Sequence, residues 1–101
     1  MEVIIIGKIC SAIEKQKKLR FEYRGHERKV EPFCYGTSKK GKETLRAYQT
    51  EGGSVSGSVP DWKFFTVGKM SGLEVLDEKF RNNRSLYNPN DRDMKHIFCN
   101  V

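Results

Sequence analysis

Of the side chains that most often carry catalysis or hold metals, this sequence offers two histidines, His26 and His96, and three cysteines, Cys10, Cys34 and Cys99. A Cys34 nucleophile served by His96 is one imaginable pairing, but no motif surrounds either residue. The mixed set His26, Cys34, His96 and Cys99 is scattered and has no Cys-x-x-Cys pair, so no metal site is read from it. There is no P-loop, no Gly-x-Gly-x-x-Gly and no paired-carboxylate motif. The chain is therefore expected to be a binding module without enzymatic activity, metal or cofactor.

The chemistry that stands out is electrostatic. The chain carries 19 Lys and Arg against 13 Asp and Glu, a formal charge of +6. The excess is local: between Lys15 and Arg46 eleven basic residues face only Glu22, Glu27, Glu31 and Glu43, a net +7, whereas residues 51–101 hold seven of each sign. Phe21, Tyr23, Tyr35 and Tyr48 are interleaved with those cations. Clustered cations raise the local concentration of polyanions, and rings among them offer surfaces on which bases stack. The ordinary alternative is a solvated, solubilising face.

The elements that must position these groups follow from hydrophobic period. Ile5, Ile6, Ile9, Ala12 and Ile13 recur as one face of a helix, expected at about residues 4–17. Lys15, Lys17 and Lys18 suit the negative end of its dipole. Leu19 to Arg24 alternates apolar with charged residues, the period of a half-buried strand, and Gly25-His26 signals a turn. A strand from Arg28 to Tyr35 contains Pro32, which places it at an edge or at a bulge. Residues 37–42 read as a basic hairpin loop, and Glu43 to Gln49 as a strand with Arg46 and Tyr48 on one face and Leu45 and Ala47 on the other. The Gly/Ser-rich stretch 51–60 reads as a long connection to strands at Trp62 to Val67 and Leu73 to Leu76. Near the end, Asn88-Pro89 is a helix start signal, with Met94, Ile97 and Phe98 as the apolar stripe of a short helix.

Five short strands in so small a chain fit a five-stranded β-barrel of Sm or SH3 type, occupying about residues 19–80, with an N-terminal helix and an extension at 81–101. No stretch approaches a membrane span, and three scattered cysteines give no disulfide framework, so a cytoplasmic protein with reduced thiols is expected.

The order of these features resembles the WYL-domain family, over about residues 8–80. Its short helix and aliphatic-x-Tyr strand are matched by Ile9 to Ile13 and Phe21-Glu22-Tyr23, and its basic-aliphatic-proline segment by Arg28-Lys29-Val30-Glu31-Pro32. Glu43-Thr44-Leu45 stands where the namesake Trp-Tyr-Leu would be, and only the leucine agrees. Lys63-Phe64-Phe65-Thr66-Val67-Gly68-Lys69-Met70 follows the next strand, with lysine where arginine is usual, and Phe80 closes the pattern. The resemblance implies a small Sm-like sensor module that binds a ligand, in several members single-stranded nucleic acid.

On that reading Arg28, Arg46, Lys63 and Lys69 neutralise phosphates and Tyr23 or Tyr48 stacks on a base. Tyr23 shares its strand face with Leu19 and Phe21, so a core position is the competing reading for that residue. The expected partner is single-stranded nucleic acid or a nucleotide-like anion. The alternative from a different class is a protein-interaction adaptor or oligomerising barrel, using the Pro32 strand and the 81–101 tail.

Overall fold

The structure, a computed structural model, describes residues 2–53, 61–81 and 93–101. The chain begins with helix α1 (Glu2–Lys15) and continues through strands β1 (Lys17–Tyr23), β2 (His26–Ser38) and β3 (Glu43–Gly52). Strand β4 (Asp61–Thr66) leads through a single 3-10 turn (Val67–Lys69) into β5 (Ser71–Lys79), and β6 (Met94–Asn100) follows. All six strands join one antiparallel sheet in the order β4-β3-β2-β1-β5, with β6 pairing β2. Among the described residues no helix is long and apolar enough to cross a membrane.

Local chemistry accounts for the start of the meander. α1 ends at Gln16, whose φ of 54° is left-handed and whose N–H donates to Ile13 O at 3.2 Å. β1 then alternates as its sequence does, burying Leu19, Phe21 and Tyr23. Arg24 and Gly25 form the two-residue link to β2, since Tyr23 pairs with His26. Both have positive φ, 52° and 77°, the conformation that matches the twist of a tight hairpin.

β2 is the spine of the sheet. Its first half pairs with β1 as far as Val30, its second half pairs with β6 from Cys34, and β3 runs along its other side throughout. Pro32 falls in the interval between β1 and β6, next to a register shift against β3. A residue without an N–H is tolerated at such a break, so of the two expected placements the bulge applies.

Most of the core is one cluster, while the buried Phe33 packs against Trp62 and Phe80 at 4.9 and 5.0 Å between centroids. Ile9, Ala12 and Ile13 of α1 pack onto Leu19, Phe21 and Tyr23 of β1, Val30 and Tyr35 of β2, Leu45 and Ala47 of β3, and Phe65 and Val67 beyond them. The Phe65 ring meets Phe21 and Tyr23 edge to face, each at 5.0 Å between centroids, the geometry aromatic quadrupoles favour.

Three expectations are corrected here. The sheet has six strands and does not close into a five-stranded barrel: the 3-10 turn after β4 redirects the chain to β1, and no ladder joins β4 to β5 among the described residues. The expected C-terminal helix is strand β6, because Ile97, Cys99 and Val101 turn partly inward at alternate positions, a period-two signal that outweighs the Met94, Ile97, Phe98 spacing. The Asn88-Pro89 start signal and the connection at 54–60 lie outside the described residues.

The third correction concerns the thiols. Cys10 of α1 and Cys99 of β6 form a disulfide across 89 positions of sequence, with their Cα atoms 5.7 Å apart. Only Cys34, buried in β2, remains a thiol. Loop-closure entropy alone assigns such a long-range link about 4.6 kcal/mol.

Candidate functional site

Much of the local excess of cations in the sequence is neutralised on the surface. The register places Arg20 opposite Lys29 and Glu22 opposite Glu27, like charge against like, an unfavourable arrangement on its own. Diagonal and neighbouring partners resolve it. Arg20 reaches Glu27 at 3.0 Å and Glu74 at 3.5 Å, Lys18 reaches Glu78 at 3.8 Å, and Lys29 lies 3.2 Å from Glu51 and in direct contact with Glu78. Lys17 is 3.9 Å from Asp77. Four of these acids come from residues 51–78, brought alongside by the β1–β5 and β2–β3 ladders. Through the hydrogen bond between them, Glu78 is held below the ordinary carboxylate range and Lys29 above the ordinary lysine range.

Tyr23 and Arg28 meet inside the protein. Arg28 is 3% exposed and Tyr23 7%. The Arg28 guanidinium stands 5.4 Å from the Tyr23 ring centre and 5.7 Å from that of Phe65, donating to Tyr23 O at 3.1 Å and Gln49 Oε1 at 3.3 Å. Its Nε makes no hydrogen bond among the described residues. Burial pushes the Arg28 pKa down. The Tyr23 hydroxyl accepts the Thr66 N–H at 3.0 Å. Burial works against its ionisation, but that bond and the nearby Arg24 outweigh it and hold the phenol below its ordinary range. Of the two readings of Tyr23, the core position is the one observed.

Arg46 and Tyr48 do share a face, the outer face of β3. Across the β3–β4 ladder Thr44 pairs with Thr66, Arg46 with Phe64 and Tyr48 with Trp62. The result is a strip of hydroxyls, then a cation stacked 4.2 Å over the Phe64 ring, then an edge-to-face Tyr48–Trp62 pair at 5.5 Å. Lys63 pairs with the core residue Ala47 and so leaves the sheet from the opposite face. Lys69 is exposed in the 3-10 turn. The six residues singled out from the sequence thus form a buried pair, an outer-face pair and two separate lysines.

The hydroxyl end of this strip opens into a hollow of about 580 Å³. Lys39, Lys40 and Lys42 line it from the β2–β3 hairpin loop, Ser38, Thr44 and Thr66 add hydroxyls, Phe64 adds a ring that is 37% exposed, and Asp93 is the one acid of its wall among the described residues. The loop is shaped by Gly41 at φ 80°, whose N–H donates to Ser38 O at 2.9 Å while Ser38 N–H donates to Lys42 O at 2.8 Å. None of the three lysine ammonium groups joins an ion pair among the described residues. Asp93 instead bonds Arg46, its Oδ2 accepting from Nη2 at 2.6 Å.

Sequence reasoning marked residues 37–42 as a basic loop yet gave them no binding role, and it missed Phe64 and Asp93. Phe64 and Phe65 are adjacent, so a period-two reading has to choose which one faces inward, and the Arg46–Phe64 register that decides it is not local information. No protein-family model, no curated protein and no solved structure matches the chain.

Proposed function

We propose that this chain is a non-enzymatic binding module for single-stranded nucleic acid or a nucleotide-like anion, held at the lysine-lined hollow and along the Arg46–Phe64 strip. The observation that carries the reading is the contrast in charge pairing. The cations of the β1–β2–β5 face are matched by acids, whereas Lys39, Lys40 and Lys42 are gathered beside an exposed aromatic ring. Ammonium groups in water neutralise phosphates and a ring at the same place stacks a base, while the buried Thr44 hydroxyl donates to Lys42 O at 2.9 Å and helps fix the loop. The proposed WYL-like ancestry rests on the sequence resemblance and on the helix-first order of the elements.

Fluorescence anisotropy with a ten-nucleotide oligothymidylate and its RNA counterpart, at two salt concentrations, tests the proposal. Three or four phosphate contacts give a slope of log affinity against log salt of about −2 to −3 for a single strand. Joint replacement of Lys39, Lys40 and Lys42 by Gln is expected to remove most of that slope. A slope near zero, or a triple variant that binds as the parent does, overturns it.

A protein-interaction role is the second reading, favoured by β5, an edge strand that leaves Val75 37% exposed. Light scattering that shows a stable oligomer indifferent to oligonucleotides selects that role instead.

A further inference from the structure

The acid in the wall of the cationic hollow belongs to an element with its own covalent tether. Asp93 directly precedes β6, bonds Arg46, and its carbonyl accepts the Lys39 N–H at 3.3 Å. Among the described residues β6 pairs with one strand, the second half of β2, through a ladder with two register shifts, and it packs beside α1. Met94 is its one buried residue, while Lys95, His96, Phe98 and Asn100 are exposed. Such a strand sits at the low end of local stability. It is tied to the body by that ladder, by the Tyr35–Phe98 ring contact at 5.2 Å, by the Val101 N–H bond to Phe33 O at 2.8 Å and by the disulfide from Cys99 to Cys10 of α1, whose two cysteines are only partly buried.

Resting on the anion-binding reading above, we infer that the Cys10–Cys99 disulfide is a redox latch: while closed it holds Asp93 against Arg46 in the anion site, and its reduction releases β6 and frees the site for phosphate. The reductant is a dithiol. Its thiolate attacks one sulfur of the Cys10–Cys99 bond to form a mixed disulfide, and its second thiol displaces the protein sulfur. Two electrons and two protons pass to the protein, leaving Cys10 and Cys99 as thiols and the dithiol as a cyclic disulfide. Without the tether β6 is held by its irregular ladder, the buried Met94, the Tyr35–Phe98 contact and the inward side chains of Cys99 and Val101. The carboxylate then leaves Arg46 at the edge of the hollow, and a phosphate takes its place.

The fold contains an independent handle on the same strand. β6 approaches β2 so closely at Gly36 that a Cβ there would lie 2.0 Å from His96 O and 2.9 Å from Ile97 Cα. Gly36→Ala therefore lifts β6 from β2 without altering either cysteine.

The test reads strand release and affinity separately, in the full chain. Amide hydrogen exchange of Met94–Asn100 and anisotropy with the ten-nucleotide oligothymidylate are followed with and without dithiothreitol. Reduction is expected to accelerate exchange in β6 while Leu45 and Ala47 stay protected, and to raise affinity about fivefold or more. The Cys10→Ser/Cys99→Ser variant is expected to behave like the reduced chain without reductant, Gly36→Ala, which loosens the ladder but keeps the disulfide, to gain affinity only on reduction, and Asp93→Asn to raise affinity in the oxidised chain with β6 still protected. Unchanged exchange on reduction, exchange spreading through the whole core, or released β6 with affinity flat or lower each overturns the latch. Release of β6 with no oligonucleotide binding in either redox state supports release of the strand but overturns the nucleic-acid reading, so the two failures are told apart.

Discussion

The guanidinium of Arg46 lies 4.2 Å over the ring of Phe64, its partner across the β3–β4 ladder. One face of the ring is thus occupied by a cation, and the ring remains 37% exposed beside the lysine loop. Phe64→Ala removes the stacking surface and leaves every cation in place. Oligothymidylate affinity is expected to fall roughly fivefold or more, since a stacked base contributes about 1 to 3 kcal/mol, while affinity for a ring-free polyphosphate stays within about twofold. Equal losses for the two ligands would show that Phe64 acts through Arg46 rather than through a base.

Arg28 is the opposite case, a cation that serves the core. It fills the space between Tyr23 and Phe65 and satisfies Tyr23 O and Gln49 Oε1. Arg28→Ala empties that space and strands two acceptors, at an expected cost of about 2 to 4 kcal/mol in urea denaturation. Oligonucleotide affinity per folded molecule is expected to be unchanged. A loss of affinity larger than the unfolded fraction explains would return Arg28 to the binding surface.

The close contact of Gly36 with β6 is also a stability statement. A methyl group there meets main chain, not a flexible side-chain end, and forcing backbone apart costs about 1 to 3 kcal/mol. Gly68→Ala is the control, because a Cβ at Gly68 meets nothing within 4 Å. Its denaturation midpoint is expected to match the parent's within error, and that of Gly36→Ala to drop. Similar midpoints for the two variants would mean that β6 stands further from β2.

What the sequence made legible was what period encodes. α1, β1 and the outward pairing of Arg46 with Tyr48 follow from side-chain spacing along one element, and each is observed. The rest depends on which strand lies beside which. Cys10 and Cys99 are 89 positions apart, and only docking of both terminal elements on one sheet makes them neighbours. The apparent +7 of residues 15–46 shrinks to about +3 because Glu51, Glu74, Asp77 and Glu78 arrive from a segment that sums to zero, and Lys39, Lys40 and Lys42 stay outside those pairs. For the same reason, Lys63 and Arg46 seem neighbours in a charge count, yet the ladder sends them to opposite faces.

The ion-pair face carries a pH signature whose sign follows from its two shifted groups. The hydrogen bond from Lys29 holds Glu78 below its ordinary value of 4.5, so the folded chain binds its proton less readily than the unfolded chain does. That contribution is present above the unfolded value and is lost as pH falls through the folded one. The bond to Glu78 raises Lys29 above its ordinary value of 10.5, so its contribution is complete below that value and is lost as pH rises through the folded one. The pair therefore stabilises the fold over the whole neutral range and fails at both ends. The Glu78 carboxylate is exposed and the pair lies at the surface, so the effect is small and salt-sensitive. Other carboxylates titrate in the acid range as well, so the informative quantity is the difference in urea midpoint between the parent and Glu78→Gln. That difference is expected to be constant from about pH 6 to 9 and to shrink below about pH 4 and above about pH 11. It should also shrink when salt is raised from 0.05 to about 1 M at pH 7. A difference that persists unchanged at low pH would show that Glu78 acts through packing rather than through its charge.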